Sequence, residues 1–380
     1  MSSKTPIIID LGSYEIKAGF RSNNNFPSTK FLSYIGEPKY DKILRSINIY
    51  KPQKKDQFVG DNCSQYLGIL KLRYPIQHGA FTNERDISLI FNHIFSKLRL
   101  NSEEIHDHPL LITEPILNPK ENREKISEIL FEKYGVPALV FGSQPPLSLF
   151  SFSSTTGIIL ESGDQVSQVC AVSDGYVIPS SFMRSNFGGK DVNDYLLQLL
   201  KMKGVEFTSE TEKLILHEIK RKYVLCQIGE TKYDEERNTT NINYKLPDSK
   251  SIEIDQKEFL ASKVIFTPSL VGKNCLGLHH MVAACIEKIN SDLRERLCPN
   301  IKLAGGNSLI RNFSQVLHTE LHGMLNKYKG INAKPNSINS TVSNWYGGNI
   351  ITGFGIFKNL LINKKDWDEK GKYIVHQQTF

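Results

Sequence analysis

The chain has 380 residues, of which 39% are hydrophobic and 23% charged, with a formal net charge of +7. That balance is typical of a soluble globular protein of about two domains. No apolar run approaches the roughly 20 residues needed to span a bilayer, so membrane insertion is not expected. The opening Met1-Ser2-Ser3-Lys4-Thr5-Pro6 resembles neither a secretion signal nor a myristoylation site, and a cytoplasmic location is expected.

In chain order, Ile7-Ile8-Ile9-Asp10-Leu11 reads as a buried strand that turns on Gly12-Ser13. The period-two pattern of Tyr14 to Phe20 is that of a hairpin's return strand. A basic segment from about Tyr40 to Lys55 lacks apolar periodicity and reads as a mobile loop. Ile87, Ile90, Phe91, Ile94, Phe95 and Leu98 have helical spacing, and His108 to Glu114 is a buried strand. Pro119 marks the first turn of the next helix, and Pro137 to Phe141 is another strand. The second half repeats the theme. Ile158-Ile159-Leu160-Glu161 turns on Ser162-Gly163-Asp164, a helix begins at Gly188-Gly189-Lys190-Asp191, and Asn238 to Asn241 is a polar loop. A third glycine loop, Ile301 to Ser308 with Gly305-Gly306, follows an apolar strand and precedes a helix-like run. Strand, loop and helix alternate in both halves, which predicts an α/β fold.

The two acidic, glycine-containing turns carry most of the functional signal. Successive backbone N–H groups in such a turn form an anion-binding nest, and a carboxylate at the strand end is placed to hold a divalent cation. Repetition of the pattern predicts a duplicated fold whose halves each contribute one loop to a bound phosphate. At the third loop, Gly305 and Gly306 let a nucleoside approach the backbone. The six cysteines, Cys63, Cys170, Cys226, Cys275, Cys285 and Cys298, have no close pair, so buried free thiols are expected rather than zinc ligands or disulfides. The basic clusters at Lys39 to Lys55 and Lys220-Arg221-Lys222 lack interleaved aromatics, which favours a solvated face or a protein contact over direct nucleic-acid binding.

This constellation resembles the actin and sugar-kinase ATPase superfamily, and within it the actin family over nearly the whole chain. The resemblance is carried by Lys71 to Gly79, Leu111 to Glu114, Leu117 to Lys125, Thr155-Thr156-Gly157, Asp174-Gly175-Tyr176, Trp345 to Gly348 and the terminus from Ile374 to Phe380. It implies an actin-like ATPase fold with two duplicated lobes, in four subdomains, around a nucleotide cleft. Subdomain 1 would comprise residues 1–32, 75–151 and 343–380. Subdomain 2 would be 33–74 with the basic loop at about 39–55, subdomain 3 would be 152–187 and 274–342, and subdomain 4 would be 188–273.

Carried across residue by residue, the resemblance implies that Gly12, Ser13, Lys17, Gly163, Asp164, Gly189, Lys220, Gly305 and Gly306 bind ATP or ADP. Asp10 and Glu161 would face Mg2+, or Ca2+ in vitro, through water. Gln144 and Gln168 would position the attacking water. Several positions depart from the family pattern. Glu161 stands for an aspartate, moving the carboxylate by about 1.5 Å, one carbon–carbon bond, and Gln165 and Tyr14 stand for glycines. Gln168 replaces a histidine, while Arg221, Ile310 and Thr341 replace an acid, a tyrosine and a lysine around the nucleoside. A glutamine orients water but accepts no proton near neutral pH, so at most a slow ATPase is expected.

Within the family, Pro38 to Ile43, Val136 to Leu139, Ile252 to Ile254 and Thr379-Phe380 are similar to the centractin branch, the actin-related proteins of the dynactin filament. Ser2-Ser3-Lys4 stands where conventional actins have an acidic cluster that serves myosin. Phe266 to Lys273 resembles the plug that touches the opposite strand of a filament. Phe150, Phe152, Ser153, Phe354 and Ile356 reshape the partner groove that Tyr176 and Ile351 match. The resemblance therefore implies a cytoskeletal protein that assembles with itself, with dynactin-type subunits and capping proteins, and with actin as a further candidate, in a short filament scaffolding dynein-driven transport. The alternatives are a divergent conventional actin forming dynamic filaments and a monomeric subunit of a chromatin-remodelling complex.

Overall fold

The computed structural model describes residues 4–39, 57–228, 241–246, 249, 251–325, 330–335 and 340–377. Most of the basic segment, residues 238–240 of the polar loop, and Ser2, Ser3, Thr379 and Phe380 lie outside them. The chain divides into two compact units, residues 1–154 with 341–380 and residues 155–340.

The first unit is built on strands β1 (Ile7–Leu11), β2 (Glu15–Phe20), β3 (Thr29–Leu32), β4 (Leu110–Glu114) and β5 (Ala138–Ser143). With the short strand Ile362–Asn363 they form a six-stranded sheet in the order 362–363, β5, β4, β1, β2, β3. β1 pairs antiparallel with β2 and parallel with β4, and β4 pairs parallel with β5. The isoleucine run explains its own position: β-branched side chains suit a pleated strand, and alternate residues face opposite sides. Ile7 and Ile9 pack with Leu110, Ile112, Leu139 and Phe141 on one face, while Ile8 packs with Leu111, Val140, Leu147 and Trp345 on the other. Both faces of this mixed sheet are thus covered.

Helix α1 (Glu84–Lys97) covers the first face with Ile87, Ile90, Phe91, Ile94 and Phe95, the residues whose helical spacing is visible in the sequence. Asn83 caps it by accepting a hydrogen bond from the Asp86 amide at 2.9 Å. Asp86 in turn takes two hydrogen bonds from Arg73 at 2.7 Å, and Arg73 also reaches Glu37 at 2.8 Å. That bidentate contact ties a small sheet of Ile35–Pro38, Phe58–Val59 and Leu70–Arg73 to the start of α1. Helices α2 (Lys120–Glu128) and α3 (Gln144–Ser151) follow β4 and β5.

The second unit repeats the first sheet's plan. Its strands β6 (Gly157–Ser162), β7 (Ser167–Ser173), β8 (Tyr176–Ser185), β9 (Ile301–Ala304) and β10 (Ala333–Pro335) lie in the order β8, β7, β6, β9, β10. β6 pairs antiparallel with β7 and parallel with β9, and β9 pairs parallel with β10. Helix α4 (Gly189–Met202) starts where the sequence places it, and Val192, Leu196, Leu199 and Leu200 join the core. Helix α5 (Glu210–Tyr223) begins with a capping box between Ser209 and Glu212. All six cysteines are free thiols, and only Cys275 is partly exposed.

Trp345 is fully buried and donates from its indole nitrogen to the Ile8 carbonyl at 3.2 Å. Trp345→Ala should lower stability by about 3–5 kcal/mol, whereas Leu309→Ala, at a 55% exposed side chain, should leave the urea midpoint nearly unchanged. His93 packs against the Phe31 ring at 4.6 Å with its Nε2 buried and unbonded. Burial pushes its imidazole down to about 4, with Lys97 adding to the effect. The unfolded imidazole binds its proton near pH 6.5 and the folded one only near 4, so this contribution is whole above 6.5 and is lost as pH falls toward 4. In urea titrations at pH 7 and pH 4.5, His93→Leu should therefore lose less stability on acidification than the wild type.

Candidate functional site

In the first unit the site grows from a buried charge. Asp10, near the end of β1, is 2% exposed. Its Oδ2 lies 3.3 Å from the ammonium of Lys17, the residue directly across the β1–β2 ladder. Thr113, opposite Asp10 on parallel β4, donates its hydroxyl to Oδ1 at 2.5 Å. Gln144, the first residue of α3, donates from Nε2 to the same oxygen at 3.2 Å and to Thr113 Oγ1 at 3.4 Å. Pro145 and Pro146 preset the opening turn of that helix. Lys17 also donates to the Glu15 carbonyl at 3.1 Å, across the turn that contains Gly12, Ser13 and Tyr14. A Cβ on Gly12 would come within 2.4 Å of that carbonyl, so the turn closes only with glycine there. Asp10, Lys17 and Gln144 are thus brought together, and Thr113 joins them.

In the second unit three loops converge. The Gly189 amide donates to the Gly163 carbonyl at 2.9 Å, and the Lys190 amide donates to the Asp164 carbonyl at 2.8 Å. Lys220, from the last turn of α5, donates to the Gly189 carbonyl at 2.8 Å. Asn307 joins the third loop to the first by donating to Ser162 Oγ at 2.9 Å and the Gly163 carbonyl at 2.8 Å. Gly305 has φ +81°, and a Cβ there would lie 2.3 Å from the Ser162 carbonyl; both facts demand glycine. Gly163, Asp164, Gly189, Lys220 and Gly305 therefore surround one small volume, with Gly306 next in the chain.

The electrostatics of this volume are mixed. Burial raises the Asp164 carboxyl, and the Lys220 and Lys190 ammonium groups partly offset it. Burial lowers Lys220, against the pull of Asp164, Asp194 and Asp191. Asp191 caps α4 by accepting from the Gly188 amide at 2.8 Å. Glu161, at the end of β6, accepts a hydrogen bond from the Gln168 amide at 3.1 Å, and both side chains are buried.

Sequence reasoning overlooked Thr113, Ser162 and Asn307. The signals were present but generic: a hydroxyl near the end of an apolar strand, and an amide immediately after paired glycines. Neither has meaning until β4 lies beside β1 and β9 beside β6.

The actin family model matches residues 1–380. The chain belongs to the actin family. Its α/β architecture, with two like-ordered mixed sheets, is the actin-like ATPase fold. Actin family proteins generally bind nucleotide with a divalent cation and are typically cytoskeletal, and membership suggests self-association into filaments. No helix among the described residues is long and apolar enough to cross a membrane.

Each unit carries groups of the kind that a nucleotide with its cation requires. A buried carboxylate beside an ammonium lies next to one glycine turn, and a backbone cradle too tight for side chains lies beside the other. Lys17→Met would leave Asp10 buried with only neutral donors. Because breaking a buried pair exposes the full desolvation cost of the remaining charge, stability should fall by about 3 kcal/mol. Asp10→Asn combined with Lys17→Met should recover part of that loss in the same denaturation assay.

Proposed function

We propose that this actin-family protein binds ATP or ADP with Mg2+ and assembles into short filaments that scaffold a dynactin-like adaptor. The buried Asp10–Lys17–Thr113–Gln144 network is the observation that carries the nucleotide part of the reading. Lys17, Ser13 and the turn's backbone N–H groups would receive terminal phosphates. In the second unit, Asp164 and the glycine turn at Gly163 would be the phosphate-binding groups. Gly189, Lys220, Gly305 and Gly306 would accommodate the nucleoside. Bound Mg2+ supplies neutralisation of phosphate charge, with Asp10 and Glu161 as the carboxylates that would reach it through water. The four-subdomain division of residues 1–32, 75–151 and 343–380, 33–74, 152–187 and 274–342, and 188–273 belongs to this reading.

Gln144 and Gln168 would orient the attacking water. Neither side chain can take its proton, and general-base assistance is worth about 10²–10⁴-fold. Turnover slower than that of a conventional actin assayed in parallel follows, in keeping with a scaffold whose filament persists rather than treadmills.

Self-association along an open, heterologous contact propagates until it is capped. Two features support a partner set different from that of conventional actin. Phe354 and Ile356 are 58% and 55% exposed in the first unit. In the segment resembling the filament plug, Leu270 is exposed while Lys273 turns toward Asp191 at 3.7 Å, so a charge occupies a position that is apolar in the family. Electron microscopy of the native assembly is expected to show short capped rods containing this chain, and mass spectrometry of the same preparation should identify dynactin-type subunits. Long uncapped helical filaments, or a single copy inside a nuclear remodelling complex, would contradict the proposal.

A further inference from the structure

Glu161 and Gln168 face each other directly across the antiparallel β6–β7 ladder. Opposed residues in such a ladder share one face and bring their Cβ atoms to about 5 Å. Both side chains are buried, at 8% and 2% exposure, and the Gln168 Nε2 lies 3.1 Å from Glu161 Oε2. A buried carboxylate left without donors costs several kcal/mol, so its orientation follows the donors the fold supplies. The amide is a neutral donor on the neighbouring strand, and an aspartate in place of Glu161 would be shorter by one methylene.

We propose that Gln168 is a positioning residue for the cation-side carboxylate: it holds Glu161 in the orientation from which a divalent cation is bound. The claim rests on the nucleotide-binding reading above and adds to it a role for Gln168 separate from the orientation of water. Substitution of an outer partner of a metal-side ligand typically costs about 10–100-fold in metal affinity. Gln168→Leu keeps a similar volume and removes the donor, Gln168→His restores an N–H donor, and Glu161→Asp withdraws the carboxylate from its partner.

The test is Mn2+ affinity of the full chain, measured by electron paramagnetic resonance at pH 8 with and without added ADP. Nucleotide retention after gel filtration and thermal melting are followed separately. Gln168→Leu is expected to melt at a lower temperature than the wild type, since a donor to a buried carboxylate is lost, and, assayed at a temperature where both are folded, to bind Mn2+ about 10–100-fold more weakly. Gln168→His should recover most of that loss. In the Glu161→Asp background the Gln168→Leu change should have little further effect, because the contact it removes is already gone. Equal Mn2+ affinity in wild type and Gln168→Leu, absence of binding in both included, overturns the proposal, as does a full Gln168→Leu effect in the Glu161→Asp background. A wild type that retains no nucleotide overturns the function proposed above instead, and the Mn2+ comparison without ADP then decides the role of Gln168 by itself.

Discussion

Each unit of this protein ends a central apolar strand in a buried carboxylate, and the local structure is arranged around keeping that charge in company. Moving a carboxylate out of water costs several kcal/mol unless donors replace the lost hydration. Asp10 receives an ammonium, a hydroxyl and an amide from residues on β2, β4 and α3. Glu161 receives an amide from the opposing strand β7. The two solutions differ in charge. The first is an ion pair with neutral support, while the second includes a carboxylate–amide contact that adds no positive charge of its own.

The position of these carboxylates follows from topology. In both sheets the hairpin's first strand also pairs in parallel with a later strand, so the carboxyl ends of β1 and β4, and of β6 and β9, lie side by side. Ligands of open α/β sheets collect at such ends, where loops and helix N-termini present unpaired backbone donors. Thr113 and Gln144 reach Asp10 because β4 and α3 deliver them to that edge. Asn307 reaches Gly163 because β9 does the same in the second unit. Duplication of the sheet order therefore places like features at like positions, even where the residues themselves have diverged.

Much of the local structure was legible because it depends on neighbours in the chain. Three consecutive isoleucines before an aspartate and a glycine turn favour a buried strand and a hairpin, and both form here. The apolar spacing from Ile87 to Leu98 makes a one-sided helix, and the start of α4 at Gly189 is marked by the paired glycines and Asp191. The duplicated turns, together with the matches that run from Lys71 to the terminus, were enough to indicate the family. What they could not reveal is partnership across long separations. The Arg73 contact with Glu37 and Asp86 and the Trp345 bond to the Ile8 carbonyl join residues whose types are individually ordinary.

The sequence by itself determined that the apolar runs at Ile7, Leu110 and Ile158 would be buried strands, that the run from Ile87 to Leu98 would be a one-sided helix, and that two turns would combine glycine with a strand-end carboxylate. These are consequences of periodicity, chain stiffness and solvation, which act over a few residues. Only the tertiary structure decided that Thr113 and Gln144 would share Asp10, that Asn307 would lock Gly163, and that Gln168 would donate to Glu161. Hydrogen bonds depend on distances of about 3 Å and on direction. Such precision between strands is set by register and packing, not by the spacing of residues along the chain.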